Sequence, residues 1–69
     1  MPLSMFHSGA SGTIKKIGGR EDTRRFLKNL GFVIGEAVTV ISDTKGSLIV
    51  SMKDSRIAIG KDMAGKIFV

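Results

Sequence analysis

Apolar residues along this chain recur in short groups punctuated by glycines, and the spacing within each group predicts an element. The stretch Arg20-Glu-Asp-Thr-Arg-Arg-Phe-Leu-Lys-Asn-Leu-Gly31 carries the one helical pattern, with Phe26, Leu27 and Leu30 on a single face at spacings of one, three and four residues. Glu21 and Asp22 stand where the positive end of a helix dipole favours acids, and Arg24, Arg25 and Lys28 follow toward its negative end. Gly31 is placed to take the left-handed C′ position. Phe32 then becomes C″ and Leu27 becomes C3, the pair whose apolar contact closes a Schellman motif.

Elsewhere the apolar positions alternate, as strands do. Val38 and Val40 share one face against Ala37, Thr39 and Ile41, and Leu48, Val50 and Met52 alternate with Ile49, Ser51 and Lys53. Arg56–Ile59 and Lys66–Val69 supply two more short strands, and Gly12–Ile17, closed by Gly18-Gly19, supplies the first. Ile14 and Ile17 have opposite parity, so that first strand needs a bulge or a strong twist. Turns are expected at Asp43–Gly46, with Gly46 suited to a positive φ, and at Lys53-Asp54-Ser55. About one helical turn is expected at Lys61–Gly65, and the first eleven residues form a leading segment anchored by Leu3, Met5 and Phe6. Five short strands, one helix inserted after the first and a helical turn before the last predict an all-β (mainly β) small barrel, one domain over residues 1–69.

Parity raises a second expectation. Ile41, Ile49 and Phe68 lie on faces opposite to Val40, Val50 and Ile67, so something must cover them. The amphipathic helix is the natural lid, and whatever it leaves bare is a candidate interface.

Composition narrows the picture. A chain of 69 residues hides only about 60% of its unfolded surface, and roughly a dozen buried aliphatic side chains at about 2 kcal/mol each leave little surplus over conformational entropy. There is no cysteine, hence neither a disulfide nor a thiolate metal site, in keeping with a reducing compartment. No apolar run approaches the ~20 residues of a spanning helix, and the leading residues lack a signal-peptide pattern, so a cytoplasmic protein without membrane insertion is expected. A net charge of +5 favours nucleic acid, anionic lipid or an acidic protein surface as partner, although solubility alone accounts for a charge of that size.

Catalytic chemistry finds no footing in the residues. Gly60–Lys66 fits the first seven positions of the phosphate-binding loop G-x-x-x-x-G-K, but Ile67 stands where Ser or Thr should hold Mg²⁺. His7 is the sole histidine, too few for a conventional metal site within one chain, which leaves a metal shared between chains as the alternative. Glu21 and Asp22 are adjacent on a helix and diverge by about 100°, and the serines lack a partnering base. No catalytic, cofactor-binding or metal-binding residue is assigned. Arg24, Arg25 and Lys28, joined by Arg20, form a basic helix face, with Lys15 and Lys16 as a second basic pair. Single-stranded nucleic acid is one reading of such patches, weakened by the absence of Trp and Tyr for base stacking.

Gly12-Thr-Ile-Lys-Lys-Ile17, the helix ending Arg-Arg-Phe-Leu-Lys-Asn-Leu-Gly31, Gly35-Glu-Ala-Val-Thr-Val40, Ser55–Ile59 and Met63-Ala-Gly-Lys-Ile-Phe-Val69 together resemble the ferrous iron transport protein A (FeoA) family across the chain. Two departures stand out: Ile34 where the family commonly has Pro before the turn glycine, and Phe26 where its helix often has Leu. The resemblance implies an SH3-like barrel and a cytosolic accessory that docks on the cytoplasmic part of the membrane ferrous-iron transporter FeoB. It also implies kinship with the interaction module that ends some metal-dependent bacterial repressors. The partner-binding candidates are Arg24, Arg25, Lys28, Phe32 and Ile49. The alternatives are a nucleic-acid-binding barrel, an activator of the transporter's GTPase with Arg24 or Arg25 as an arginine finger, and self-association through edge strands.

Overall fold

The computed structural model describes residues 1–53 and 55–69. A 3₁₀ turn (Leu3–Met5) leads into β1 (Ser11–Thr13), β2 (Lys16–Ile17) and helix α1 (Glu21–Asn29). Then follow β3 (Ala37–Asp43), β4 (Ser47–Met52), β5 (Ser55–Gly60), the one-turn helix α2 (Lys61–Ala64) and β6 (Ile67–Phe68). Strands β1-β3-β4-β5 form an antiparallel sheet, and β2 pairs antiparallel with β6 in a second, two-stranded one.

The conflicting parity of Ile14 and Ile17 is resolved by a break. The expected first strand splits at Ile14-Lys15, where the Ile14 amide donates to Glu36 O at 2.9 Å and the Lys15 amide to Phe68 O at 2.7 Å. One bent segment thus serves both sheets: β1 pairs with β3, and β2 with β6. Ile14, at the bend, is buried. Counted as one bent strand, β1–β2 makes the barrel five-stranded. The termini add a seam, with Pro2 bridging Phe68 and the Val69 amide donating to Met1 O at 2.9 Å.

The core sits between these layers, and strand alternation explains its membership. Val38 and Val40 of β3 and Leu48, Val50 and Met52 of β4 point inward, with Ile59, Ile67, Leu3 and Ala64 filling the ends. Leu3 is fully buried and Phe6 packs against the core, but Met5, expected to be an anchor, is exposed. A register shift between Val40 and Ser42 leaves Ile41 at an irregularity in the β3–β4 ladder. The turn after β3 closes without a left-handed glycine: φ at Gly46 is not positive. Instead Thr44 donates twice to Ser47 O, from its amide and from Oγ1, both at 3.0 Å. The expected Lys53-Asp54-Ser55 turn includes Asp54, which lies outside the described residues.

Helix α1 begins one residue later than the pattern predicts. Arg20 occupies the N-cap without a side-chain cap, and Asp22 Oδ1 accepts from the Thr23 amide at 2.9 Å, meeting one orphan donor of the first turn. Its end closes as expected. The Phe32 amide donates to Leu27 O at 3.0 Å and the Gly31 amide to Lys28 O at 2.9 Å, the two bonds of a Schellman motif, with φ at Gly31 of +108°. Leu27 and Phe32 are both buried in the core.

The lid expectation fails in two respects. Phe26 is 51% exposed, so the helix contributes Leu27 and the half-buried Leu30 to packing, not its whole predicted apolar face. Ile41 and Ile49 remain exposed at 40% and 36%. The helix instead stands beside β5, where Phe26 and Leu30 face Ile57, Ile59 and Met63 across a cavity of about 400 Å³.

Candidate functional site

Where the chain leaves α1 it runs Phe32-Val-Ile-Gly35 before entering β3, and this connection forms one wall of a groove. The Schellman closure turns the backbone so that Phe32 dives into the core while Ile34 stays out at 69% exposure, the highest of any large apolar side chain described. The Gly35 amide donates to Ile14 O at 2.9 Å, and Gly35 itself sits at φ +95°. That ties the connection to the bend between β1 and β2. Ile17 of β2 forms the opposite wall, Phe32 the floor, and Arg24 and Lys28 of α1 the rim of a cavity of about 260 Å³.

The rim is electrostatically open. Arg25 is 3.6 Å from Glu21 in an exposed i,i+4 pair, while Arg24 and Lys28 have no ion-pair partner among the described residues. A second depression of about 220 Å³, lined by Leu30, Gly31, Val33, Glu36, Met52, Lys53 and Ser55, carries a compensated pair, Lys53 Nζ to Glu36 Oε1 at 3.2 Å. Lys16 lies over the Phe68 ring at 5.9 Å to the centroid. Its charge is thus directed at an aromatic face.

The five candidate docking residues do not form one surface. Arg24 and Lys28 share the groove rim. Arg25 is exposed but engaged with Glu21. Ile49 lies on the outward face of β4, paired with Ala58 and Ser42 and away from the groove lining. Phe32, at 1% exposure, is a core residue whose ring underlies the groove. Ile17, Val33 and Ile34 were not among the candidates, yet they supply the groove's apolar walls. The available signal was the apolar run Phe32-Val-Ile placed between two glycines, longer than a simple turn needs.

Among the described residues, no group of three or more His, Cys, Asp or Glu could hold a metal ion, and no helix is long and apolar enough to cross a membrane. His7 is exposed in the leading segment, its carbonyl accepting from the Ala10 amide at 3.0 Å. The phosphate-loop look-alike Gly60–Lys66 is the end of β5 followed by the single turn α2.

A four-stranded antiparallel sheet joined to a two-stranded one by a single bent strand, with a helix between the two sheets' strands, is an SH3-like barrel. Zinc-complexed FeoA of Stenotrophomonas maltophilia, described as a procaryotic SH3 domain protein, superposes with a TM-score of 0.84 at 24% identity, over 99% of this chain and 87% of that one. The chain belongs to the FeoA family: the FeoA domain matches residues 1–69. It is 37% identical over 68 residues to the "Putative Fe(2+) transport protein A" of Methanocaldococcus jannaschii, covering 99% of this chain and 83% of that protein. A crystal structure of an iron uptake regulatory protein (FeoA) matches with a TM-score of 0.91 at 31% identity, over 97% of this chain and 91% of that one. A manganese-dependent transcriptional repressor shares the fold alone, at a TM-score of 0.90 and 18% identity over 39% of its length.

Proposed function

We propose that this chain is a cytoplasmic accessory of ferrous iron uptake that docks on the cytoplasmic part of the membrane ferrous-iron transporter FeoB and modulates it. Membership of the FeoA family over residues 1–69 carries the reading, supported by the Fe(2+) transport relative at 37% identity. The physical support is a groove that joins the exposed Ile34 and the half-buried Ile17 and Val33 to two cations with no ion-pair partner among the described residues, an arginine-bearing apolar surface of the kind protein–protein contacts use. The test is co-purification of the chain with the transporter's soluble cytoplasmic portion from the same organism. Retention at micromolar concentrations is expected, and its absence would overturn the reading.

A second reading, activation of the transporter's GTPase by an arginine finger, rests on Arg24, which is exposed and has no ion-pair partner among the described residues, whereas Arg25 lies 3.6 Å from Glu21. It requires GTP turnover to rise when the chain is added and to return to the basal rate with Arg24→Ala.

A further inference from the structure

We infer that the groove between α1 and the Phe32–Gly35 connection takes an acidic amphipathic segment of a partner protein, its apolar side chains seated against Ile17, Val33 and Ile34 and its carboxylates on Arg24 and Lys28. The inference deepens the docking reading above by giving the chemistry of the docked segment, and it rests on that reading only for the partner's identity.

Three observations select this occupant. The first is size: at about 260 Å³ the groove has room for one or two anchoring side chains. The second is lining. Among the described residues its walls apart from Arg24 and Lys28 are apolar, and Ile34, at 69% exposure, carries them out to the surface beside the half-buried Ile17 and Val33.

The third is charge. Arg24 and Lys28 are four residues apart on α1, so they sit one above the other on the same helix face, about 5–6 Å apart at Cβ. Among the described residues no carboxylate lines the groove, and their ion pairs use Arg25, Lys53 and Lys61 instead. Two uncompensated cations at that spacing match carboxylates a turn apart on an amphipathic segment laid along the groove, the helix-in-groove mode of recognition. The guanidinium of Arg24 offers a carboxylate a two-pronged contact that Lys cannot reproduce. Nucleic acid fits less well. It too would meet the cations, but the groove presents aliphatic walls and a Phe32 ring buried at 1% exposure, with no open aromatic face for a base.

The test is fluorescence anisotropy on the full chain with a labelled 18-residue amphipathic peptide bearing Leu on one face and flanking Glu. Three further probes accompany it: a Glu→Lys peptide, a Leu→Ser peptide and a labelled dT oligonucleotide. Only the Leu/Glu peptide is expected to bind. The double variant Arg24→Glu/Lys28→Glu should weaken it about tenfold or more. Ile34→Ser should weaken it comparably, and Lys45→Glu, on the exposed β3–β4 turn, should leave it unchanged. Ile34 and both cations are exposed, so these variants fold; a circular dichroism melt of each verifies it. Equal binding of the Glu→Lys peptide, tighter binding of the oligonucleotide, or no binding of any peptide would overturn the inference. If the Leu/Glu peptide binds at the groove but the transporter portion is not retained, the fault lies in the partner's identity. If the transporter is retained equally by the double variant, the fault lies in the groove assignment.

Discussion

Replacing Gly31 with Ala isolates the backbone contribution of the helix end. Gly31 holds φ at +108°, farther from the right-handed region than an ordinary left-handed residue. An added Cβ would meet nothing closer than Met52 Cε at 3.7 Å, ordinary van der Waals contact, so sterics with the core contribute no penalty. What remains is torsional, and a left-handed conformation disfavours an L side chain by about 1–2 kcal/mol. The smaller conformational freedom of unfolded Ala offsets about 0.4–1 kcal/mol, and the unusually large φ keeps the torsional loss at the upper end of its range. A net loss of about 1 kcal/mol is expected. Gly46→Ala is the matched control: φ there is not positive and nothing lies within 4 Å of the added Cβ. That substitution should be neutral or stabilise by up to about 1 kcal/mol. In urea, with a slope near 1 kcal/mol/M for so small a domain, the two midpoints should differ by about 1–2 M. Coincident midpoints would refute the claim that the left-handed Gly31, rather than packing of Leu27 and Phe32 alone, terminates α1.

Leu27→Ala, which empties a fully buried site, should lose about 2–5 kcal/mol, enough to unfold much of the population. Phe26→Ala, at a half-exposed position on the same helix, should lose under about 1 kcal/mol; thermal melts by circular dichroism separate the two. Gly12→Ala would push a Cβ to 3.1 Å from Val69 Cβ and 3.2 Å from the Phe6 ring. A loss of about 1–3 kcal/mol is expected from this overpacking, with altered methyl and ring resonances at Val69 and Phe6. Asp43→Asn removes the 2.8 Å pair with Lys61 Nζ, whose groups are about a third exposed. The loss should be at most about 1 kcal/mol in low salt and should shrink, without vanishing, at 1 M salt, where the screening length of about 3 Å is no shorter than the pair itself.

Local rules made much of this fold legible. The Gly31–Phe32 cap, the alternation of β3 and β4 and the helical turn after Gly60 each follow from spacing within a few residues. The parity conflict at Ile14 and Ile17 correctly marked a distortion, but whether it would be a bulge or a break depends on β6, some fifty residues away, which takes the second half of the strand. The lid was misjudged for a related reason. A helical pattern gives the apolar face of α1 but not which neighbour it faces, and Phe26 and Leu30 face β5 across a cavity rather than the outward face that carries Ile49. Glycine permits a left-handed turn without requiring one, and the Asp43–Gly46 turn closes through the Thr44 amide and hydroxyl donating to Ser47 O. In the groove, Arg24 and Lys28 are legible as charge on the helix, while nothing local marks Ile17, Val33 and Ile34 as parts of one surface. Only the tertiary path shows that Ile17 of β2 and the connection after α1 come together with Ile34 left outside.

The most direct measurement is a titration of the isotopically labelled chain with the cytoplasmic portion of the transporter, followed by amide chemical shifts. Saturable shifts centred on Ile17, Arg24, Lys28, Val33 and Ile34 are expected, with the outward face at Ile49 unaffected and the response lost in Arg24→Glu/Lys28→Glu. Saturable shifts confined to the β4–β5 face, or none at stoichiometric excess, would contradict it.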